Sequence, residues 1–107
     1  MDEQAFRIHS DAALDHLFRA LTASNDFPFE ADLNNGALTI EFDDSPAKFV
    51  VSPNSPVRQI WVSALTTSFK LDWDESRQAF VLPATGRTLR QLMGDVISQQ
   101  LGETIEL

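Results

Sequence analysis

Residues 29–43 read FEADLNNGALTIEFD and contain two short stretches in which apolar and polar residues alternate. Strict alternation predicts a β-strand with one buried face. The two stretches, 29–34 and 37–43, flank Asn35-Gly36, a pair that strongly favours a two-residue hairpin turn. This part of the chain therefore predicts an antiparallel β-hairpin whose carboxylates lie on the face opposite the core.

More strands are predicted downstream of the hairpin. Short apolar stretches at 47–51, 57–64, 68–73 and 78–82 are separated by polar or proline-containing segments, of which residues 52–56 are predicted to form a stiff loop. Consecutive strands that are joined by short turns pair in an antiparallel way. We therefore expect one antiparallel sheet of about six strands.

Helical periodicity is found at both ends of the chain. Apolar residues three and four positions apart predict one helix over 3–23 and a second over 89–101. Thr88 and Gln91 fit a capping box at the start of the second helix. Two amphipathic helices cover one face of a sheet, so the predicted fold is an α+β two-layer sandwich, with both helices on one face, in a single domain over 1–107.

The alternation also assigns side chains to the two faces of the sheet. Ile60 and Val62 share the core face, which leaves Trp61 on the face without helices. A large aromatic residue on an open sheet face is a common anchor for a partner protein. In the alternative interpretation, Trp61 packs on its neighbours and only stabilises that face.

Three other aromatic or imidazole side chains receive a structural interpretation. Trp73 shares its strand face with Leu71 and is predicted to lie in the core. His9 and His16 are seven positions apart on the first predicted helix, which is too far to share a metal ion. Both histidines are predicted to be surface residues.

Acidic residues are concentrated in the first part of the chain. Residues 1–44 hold ten acidic and two basic residues, so the whole formal net charge of −8 arises there. Such a field repels nucleic acid and anionic membranes, and it attracts cations and basic protein surfaces. No apolar stretch approaches the roughly 18 residues that span a bilayer. Because no secretory signal is visible either, a cytoplasmic location is expected.

Carboxylates gather on the predicted hairpin. Glu30 and Asp32 share one face of its first strand, and Glu41 and Asp43 share the matching face of the second. Like charges opposite each other destabilise a sheet, which suggests that these residues serve a function. Oxygen ligands suit hard cations such as iron, calcium, magnesium or manganese. The pattern predicts weak, exchangeable metal binding, with a merely solvated acidic face as the alternative.

The sequence carries no signature of an ordinary enzyme. It has no GxSxG, P-loop, GxGxxG or HExxH motif. The absence of cysteine excludes disulfides, thiolate zinc sites, cysteine-ligated iron–sulfur clusters and cysteine nucleophiles. A ferroxidase is disfavoured because the Glu-x-x-His pattern of di-iron proteins is missing.

The central part of the chain resembles the frataxin signature. That signature is a strand hairpin, a loop ending in proline, a Gln-(Ile/Val)-Trp block and an Asp-Trp strand. The tail QQLGETIEL is similar to the end of bacterial members. The matching residues in this chain are Asn35-Gly36, Pro56, Gln59-Ile60-Trp61 and Asp72-Trp73.

The resemblance implies an iron-binding protein of iron–sulfur cluster assembly, monomeric without iron, that acts as iron donor or as regulator of a cysteine desulfurase and its scaffold protein. It implies weak binding of ferrous or ferric iron, with other divalent cations possible, on an acidic ridge of the first helix and first strand. Carried onto this chain, the ridge comprises Asp11, Asp15, Asp26, Glu30 and Asp32, with Glu41 and Asp43 nearby. The partner-binding residues that the resemblance implies are Asn54, Gln59, Trp61 and Lys70.

The chain departs from the family pattern at the end of the first helix, where residues 18–25 read FRALTASN instead of carrying a dense acid cluster. Arg19 lies on the same helical stripe as Asp11 and Asp15, and we expect it to neutralise them in part. The turn at 65–68 also lacks the glycines that are common in the family. A second hypothesis is therefore a metal-independent acidic interaction module, an inhibitor or adaptor of a basic partner.

Overall fold

The computed structural model describes residues 1–24 and 26–107, in which the chain forms two α-helices and six β-strands. The predicted break at 25–28 separates the first helix from the first strand, although Asn25 itself lies outside the described residues. The elements are α1 (Glu3–Leu21), β1 (Phe29–Asn34), β2 (Ala37–Phe42), β3 (Lys48–Asn54), β4 (Gln59–Ala64), β5 (Thr67–Asp74), β6 (Ala79–Val81) and α2 (Leu89–Leu101).

The strands form one antiparallel sheet in sequence order, from β1 at one edge to β6 at the other. Both helices pack on the same face of this sheet, so the predicted α+β two-layer sandwich is confirmed. Within the described part of the chain, neither helix combines the length and the apolar character that crossing a membrane requires.

The core lies between the helices and the covered face of the sheet. Its largest side chains are those of Phe6, Phe49 and Phe80, each at most 2% exposed. Ile60 and Val62 are fully buried, as the alternation predicts. Each such side chain contributes about 1.5–3 kcal/mol through its removal from water, so these aromatic and aliphatic residues fix which face of each strand points inward.

The helix ends are set by local hydrogen bonds. The Asp2 carboxylate accepts a hydrogen bond of 2.7 Å from the Ala5 N–H, which starts α1. The helix ends at Leu21, two residues earlier than predicted, and the Thr22 hydroxyl donates a hydrogen bond of 2.8 Å to the Phe18 carbonyl. The predicted capping box is present at the start of α2.

The prediction of a loop over residues 52–56 is wrong in its first half, because β3 continues to Asn54. Pro53 has no N–H to donate, which normally bars it from the middle of a sheet. Here it is tolerated because the pairing of β2 with β3 ends at Val51, so Pro53 has a strand neighbour only on the β4 side.

The predicted start of β4 at residue 57 is two residues early. Ser55–Val57 forms one turn of 3₁₀ helix, with Pro56 in its first positions, and Arg58 has a left-handed backbone with a φ of 54°. These conformations cannot continue a strand, so β4 begins at Gln59. The limits of β5 and β6 differ from the predicted ones by only one residue at each end.

Two hairpins of the sheet use the same tight turn with different residues. Asn35-Gly36 connects β1 to β2, and both residues have positive φ values, 54° and 78°. Leu65-Thr66 connects β4 to β5 with φ values of 53° and 60°. Such a turn favours Asn-Gly, whereas a β-branched residue is strained in the left-handed region. The β4–β5 turn is therefore a local weak point of this fold.

We expect Thr66→Gly to raise the free energy of unfolding by about 0.5–1 kcal/mol, because glycine relieves left-handed strain while adding some entropy to the unfolded chain. Urea denaturation measures the change. Thr67→Gly is the control, since Thr67 begins β5 and should lose stability on substitution. If both substitutions destabilised the protein equally, Thr66 would not be strained in its left-handed conformation.

Candidate functional site

The open face of the sheet carries two adjacent rows of cross-strand neighbours in β3, β4 and β5. All four predicted partner-binding residues belong to these rows, and so does one acidic residue that was not assigned a role from sequence. We call this group the Trp61 patch; it comprises Asn54, Gln59, Trp61, Lys70 and Asp72.

Side-chain contacts order the Trp61 patch. The indole Nε1–H of Trp61 donates a hydrogen bond of 3.0 Å to Oε1 of Gln59. The carboxamide nitrogen of Gln59 donates a second one, also 3.0 Å, to Oδ1 of Asp72. The Lys70 ammonium lies 4.9 Å from the centroid of the indole ring, within range of a cation–π interaction. Gln59 thus holds the edge of the half-buried Trp61 indole, and Lys70 holds one of its faces.

Asp72 was missed as a member of the patch for a physical reason. It shares a strand face with Lys70, which the alternation of β5 could have indicated. Its contact with Gln59, however, depends on the register of β4 against β5, in which Gln59 lies opposite Asp72. Alternation within one strand does not determine that register.

The acidic side chains of the first hairpin lie partly opposite one another. Glu30 of β1 faces Glu41 of β2, and Lys48 of β3 lies on the other side of Glu41. The lysine offsets part of the repulsion between the two carboxylates. Asp32 lies opposite Thr39 rather than opposite another acid.

Asp43 is not part of the strand to which it was assigned. β2 ends at Phe42, and the backbone N–H of Asp43 donates a hydrogen bond of 3.1 Å to the carbonyl of Pro28. Asp43 still lies near the other hairpin acids: together with Glu30 and Asp32 it lines a cleft of about 370 Å³ beside the end of α1. Three of the seven predicted iron-binding acids therefore line one cleft.

The remaining ridge acids lie on or just after α1. Asp11 is exposed, whereas Asp15 forms an ion pair of 3.1 Å with Arg19. Asp26 is exposed in the turn that follows, where its backbone N–H donates a hydrogen bond to the Ser24 hydroxyl. The expected neutralisation by Arg19 is thus seen directly at Asp15, whose carboxylate is already engaged.

The acids do not form a preformed metal cage. Within residues 1–24 and 26–107, no group of three or more histidine, cysteine, aspartate or glutamate side chains is close enough to hold one metal ion. The donor set consists of carboxylates that are mostly exposed, and that of Asp15 is paired with Arg19. Their chemistry suits loose and exchangeable contact with a hard cation, not tight chelation.

Trp73 and His9 differ from their predicted environments. Trp73 packs against the core but is only half-buried, and His9 stacks on it with 4.0 Å between ring centroids, so His9 is not a free surface residue. His16 is exposed, as predicted. The Trp73 indole also donates a hydrogen bond of 2.6 Å to Glu75, and this bond, together with one from Gln78, lowers the pKa of Glu75.

The turn between β5 and β6 explains the other displaced pKa. The carboxylate of Asp74 accepts hydrogen bonds from the hydroxyl and N–H of Ser76 and from the N–H of Arg77. These bonds, chiefly the one from the Ser76 hydroxyl, lower the pKa of Asp74. Shifted pKa values often mark functional sites, but here local hydrogen bonds at the β5–β6 turn account for both shifts.

Comparison with known proteins agrees with the fold. A family model described as "Frataxin-like domain" matches residues 1–103. The iron–sulfur cluster assembly protein CyaY of Stutzerimonas stutzeri is 34% identical over 84 residues, which cover 77% of this chain and 76% of that protein. CyaY of Thioalkalivibrio sulfidiphilus is 28% identical over the full length of both chains.

Solved structures show the same architecture at low sequence identity. Frataxin from Psychromonas ingrahamii has a TM-score of 0.76 and 19% identity over 99% of this chain and 97% of its own. Yeast frataxin has a TM-score of 0.68 and 20% identity over 92% and 82% of the two chains. The resemblance noted in the sequence is thereby confirmed, and this chain belongs to the frataxin family, with iron–sulfur cluster assembly proteins of the CyaY type among its bacterial relatives.

Proposed function

We propose that this chain is a non-catalytic, iron-binding protein of iron–sulfur cluster assembly that acts in the cytoplasm. In this proposal it docks on a cysteine desulfurase and its scaffold protein, as an iron donor or as a regulator of the desulfurase. Iron is a weakly held cargo rather than a resident cofactor. The names of the bacterial relatives support the pathway.

One structural observation carries the proposal. The face of the sheet that the helices leave uncovered presents the hairpin acids Glu30, Asp32 and Glu41 together with the ordered indole of Trp61. A carboxylate-rich region attracts a basic partner and steers its approach, and a fixed aromatic side chain supplies the buried anchor of an interface. The same carboxylates offer oxygen ligands to iron.

The ion pair between Asp15 and Arg19 and the lack of a three-ligand cluster among the described residues favour a second candidate function. In that alternative, the acids serve docking alone, and the chain is a metal-independent adaptor or inhibitor of a basic partner. The two functions differ in whether iron binds to the acidic ridge at all.

An anaerobic titration with ferrous iron, followed by amide NMR, separates them. We expect line broadening at the amides of residues 26, 27, 29–32 and 43 and near Asp11 and Asp15, reversed by a chelator, because exchangeable contact with paramagnetic iron broadens nearby signals. If the spectra stayed unchanged at millimolar iron, the iron-binding function would be excluded, and the acids would serve protein docking alone.

The same titration of the Arg19→Gln variant tests whether Asp15 belongs to the iron site. Releasing the Asp15 carboxylate from its ion pair should raise iron affinity at α1 by about two- to fivefold, in line with the strength of exposed ion pairs. Arg7→Gln is a matched control, since Arg7 pairs with Glu3 on the same helix and its loss changes the net charge equally. Equal gains in both variants would indicate a general charge effect instead of a site that contains Asp15.

A further inference from the structure

Gln59 connects two side chains whose hydrogen-bonding capacities are opposite. The Trp61 indole nitrogen can only donate a hydrogen bond, and the ionised carboxylate of Asp72 can only accept one. A carboxamide has one oxygen and one NH₂ group, so Gln59 satisfies both neighbours in a single orientation, with Oε1 toward Trp61 and Nε2 toward Asp72. The position of the Asp72 carboxylate therefore determines how Gln59 meets the indole.

The register of the sheet supports this chain of contacts. Gln59 lies opposite Asp72, and Trp61 lies opposite Lys70, on two neighbouring strands. Lys70 restrains the face of the indole, and Gln59 restrains its edge. With both restraints present, rotation of the Trp61 side chain away from its observed position breaks at least one of these contacts.

We propose that Asp72 is a positioning residue of the docking surface, which acts through Gln59 to hold the Trp61 indole in the orientation that a protein partner requires. This inference rests on the proposed function, in which Trp61 is the anchor of the interface. Holding the anchor before binding reduces the conformational entropy that binding would otherwise remove, and a preorganised side chain raises affinity without any new contact to the partner.

The exposure of these groups favours positioning over a purely structural role. Asp72 is exposed and Gln59 is half-buried, whereas Ile60 and Leu71 beside them are fully buried on the opposite face. A hydrogen bond between solvent-accessible side chains adds little to folding, because water replaces it readily. Removing the Asp72 carboxylate should therefore change the indole without unfolding the sheet.

The first test uses the full chain without any partner. In ¹⁵N-labelled protein, Asp72→Ala should shift the indole N–H signal of Trp61 and speed its exchange with water. The indole signal of Trp73, which donates to Glu75, serves as the internal control and should stay in place. Asp72→Asn keeps an acceptor oxygen while removing the charge, so it should leave the Trp61 signal close to that of the parent chain. An unchanged Trp61 signal in Asp72→Ala would overturn the inference.

The second test measures affinity for a purified cysteine desulfurase–scaffold complex. Asp72→Ala should weaken binding about two- to tenfold, and Asp72→Asn should restore most of the loss. In a chain that already carries Trp61→Ala, Asp72→Ala should have no additional effect. A loss of the same size in both backgrounds would show that Asp72 contacts the partner directly and would overturn the positioning role.

The two tests separate failure of this inference from failure of the proposed function. If Trp61→Ala itself leaves binding to the complex unchanged, the proposed docking function fails, and a positioning role toward that partner fails with it. If Trp61→Ala weakens binding but Asp72→Ala alters neither the Trp61 indole signal nor the affinity, the docking function stands and only the role of Asp72 is overturned.

Discussion

Trp61→Ala is expected to weaken binding to the desulfurase–scaffold complex about 30-fold or more, a loss of ~2 kcal/mol or more in binding free energy. The expectation follows from the position of the indole. It is a large aromatic side chain at the centre of the uncovered sheet face, and it is restrained by Gln59 and Lys70 before any partner arrives. Calorimetry or biolayer interferometry with the purified complex measures the change.

The fold should survive this substitution. Trp61 points away from the core, and the buried neighbours Ile60 and Val62 face the helices. Trp61→Phe should lose less affinity, because it keeps an aromatic ring but not the indole N–H. Ile8→Ala is the matched control, since Ile8 is a large hydrophobic residue, 61% exposed on α1. If Ile8→Ala reduced affinity as much as Trp61→Ala, the open face would not be the docking surface.

Reversing the charge of Glu30 and Asp32 is expected to weaken the same interaction by about tenfold at low salt. The double substitution Glu30→Lys/Asp32→Lys changes the formal net charge from −8 to −4 and places two positive charges at the edge of the open face. Charges at the rim of an interface act mainly on the association rate, so the loss should appear in the on-rate. Rapid-mixing kinetics at several salt concentrations measures it.

A second double substitution controls for the change in net charge. Glu103 and Glu106 are exposed in the C-terminal tail, which follows α2 on the opposite side of the sheet. Glu103→Lys/Glu106→Lys alters the net charge by the same amount. We expect a much smaller loss in this control, and a weaker salt dependence for the Glu30→Lys/Asp32→Lys chain than for the parent. Equal losses in the two variants would locate the effect in the overall charge of the protein, not in the hairpin acids.

The sequence was informative about the fold because the strongest signals are local. The Asn35-Gly36 turn and the alternation on either side of it predict a hairpin in the place where β1 and β2 are found. Helical periodicity predicts α2 to the residue and α1 with an error of two residues at its end. Each of these features depends on neighbours within about one helical turn or one strand.

The errors in the fold occurred where a tertiary contact outweighs a local preference. Two prolines favoured a loop before β4, yet Pro53 lies in a strand, because the pairing of β3 with β2 stops at Val51 and leaves Pro53 paired with β4 alone. Trp73 was assigned to the core by its alternation with Leu71. It is half-buried instead: the imidazole of His9 stacks on its ring, and its indole N–H donates a hydrogen bond to the exposed Glu75.

The same division holds for the candidate surfaces. The sequence alone determined which face of each strand bears Glu30, Asp32, Gln59 and Trp61, because side chains alternate strictly along a strand. Only the tertiary structure decided which of these residues meet. Strand register brings Gln59, and through it Trp61, into contact with Asp72 in β5. The packing of α1 beside β1 forms the cleft that three of the hairpin acids line. A salt bridge on α1 engages Asp15. Register and helix packing depend on contacts between residues that are distant in sequence, which no pattern within a single strand or helix specifies.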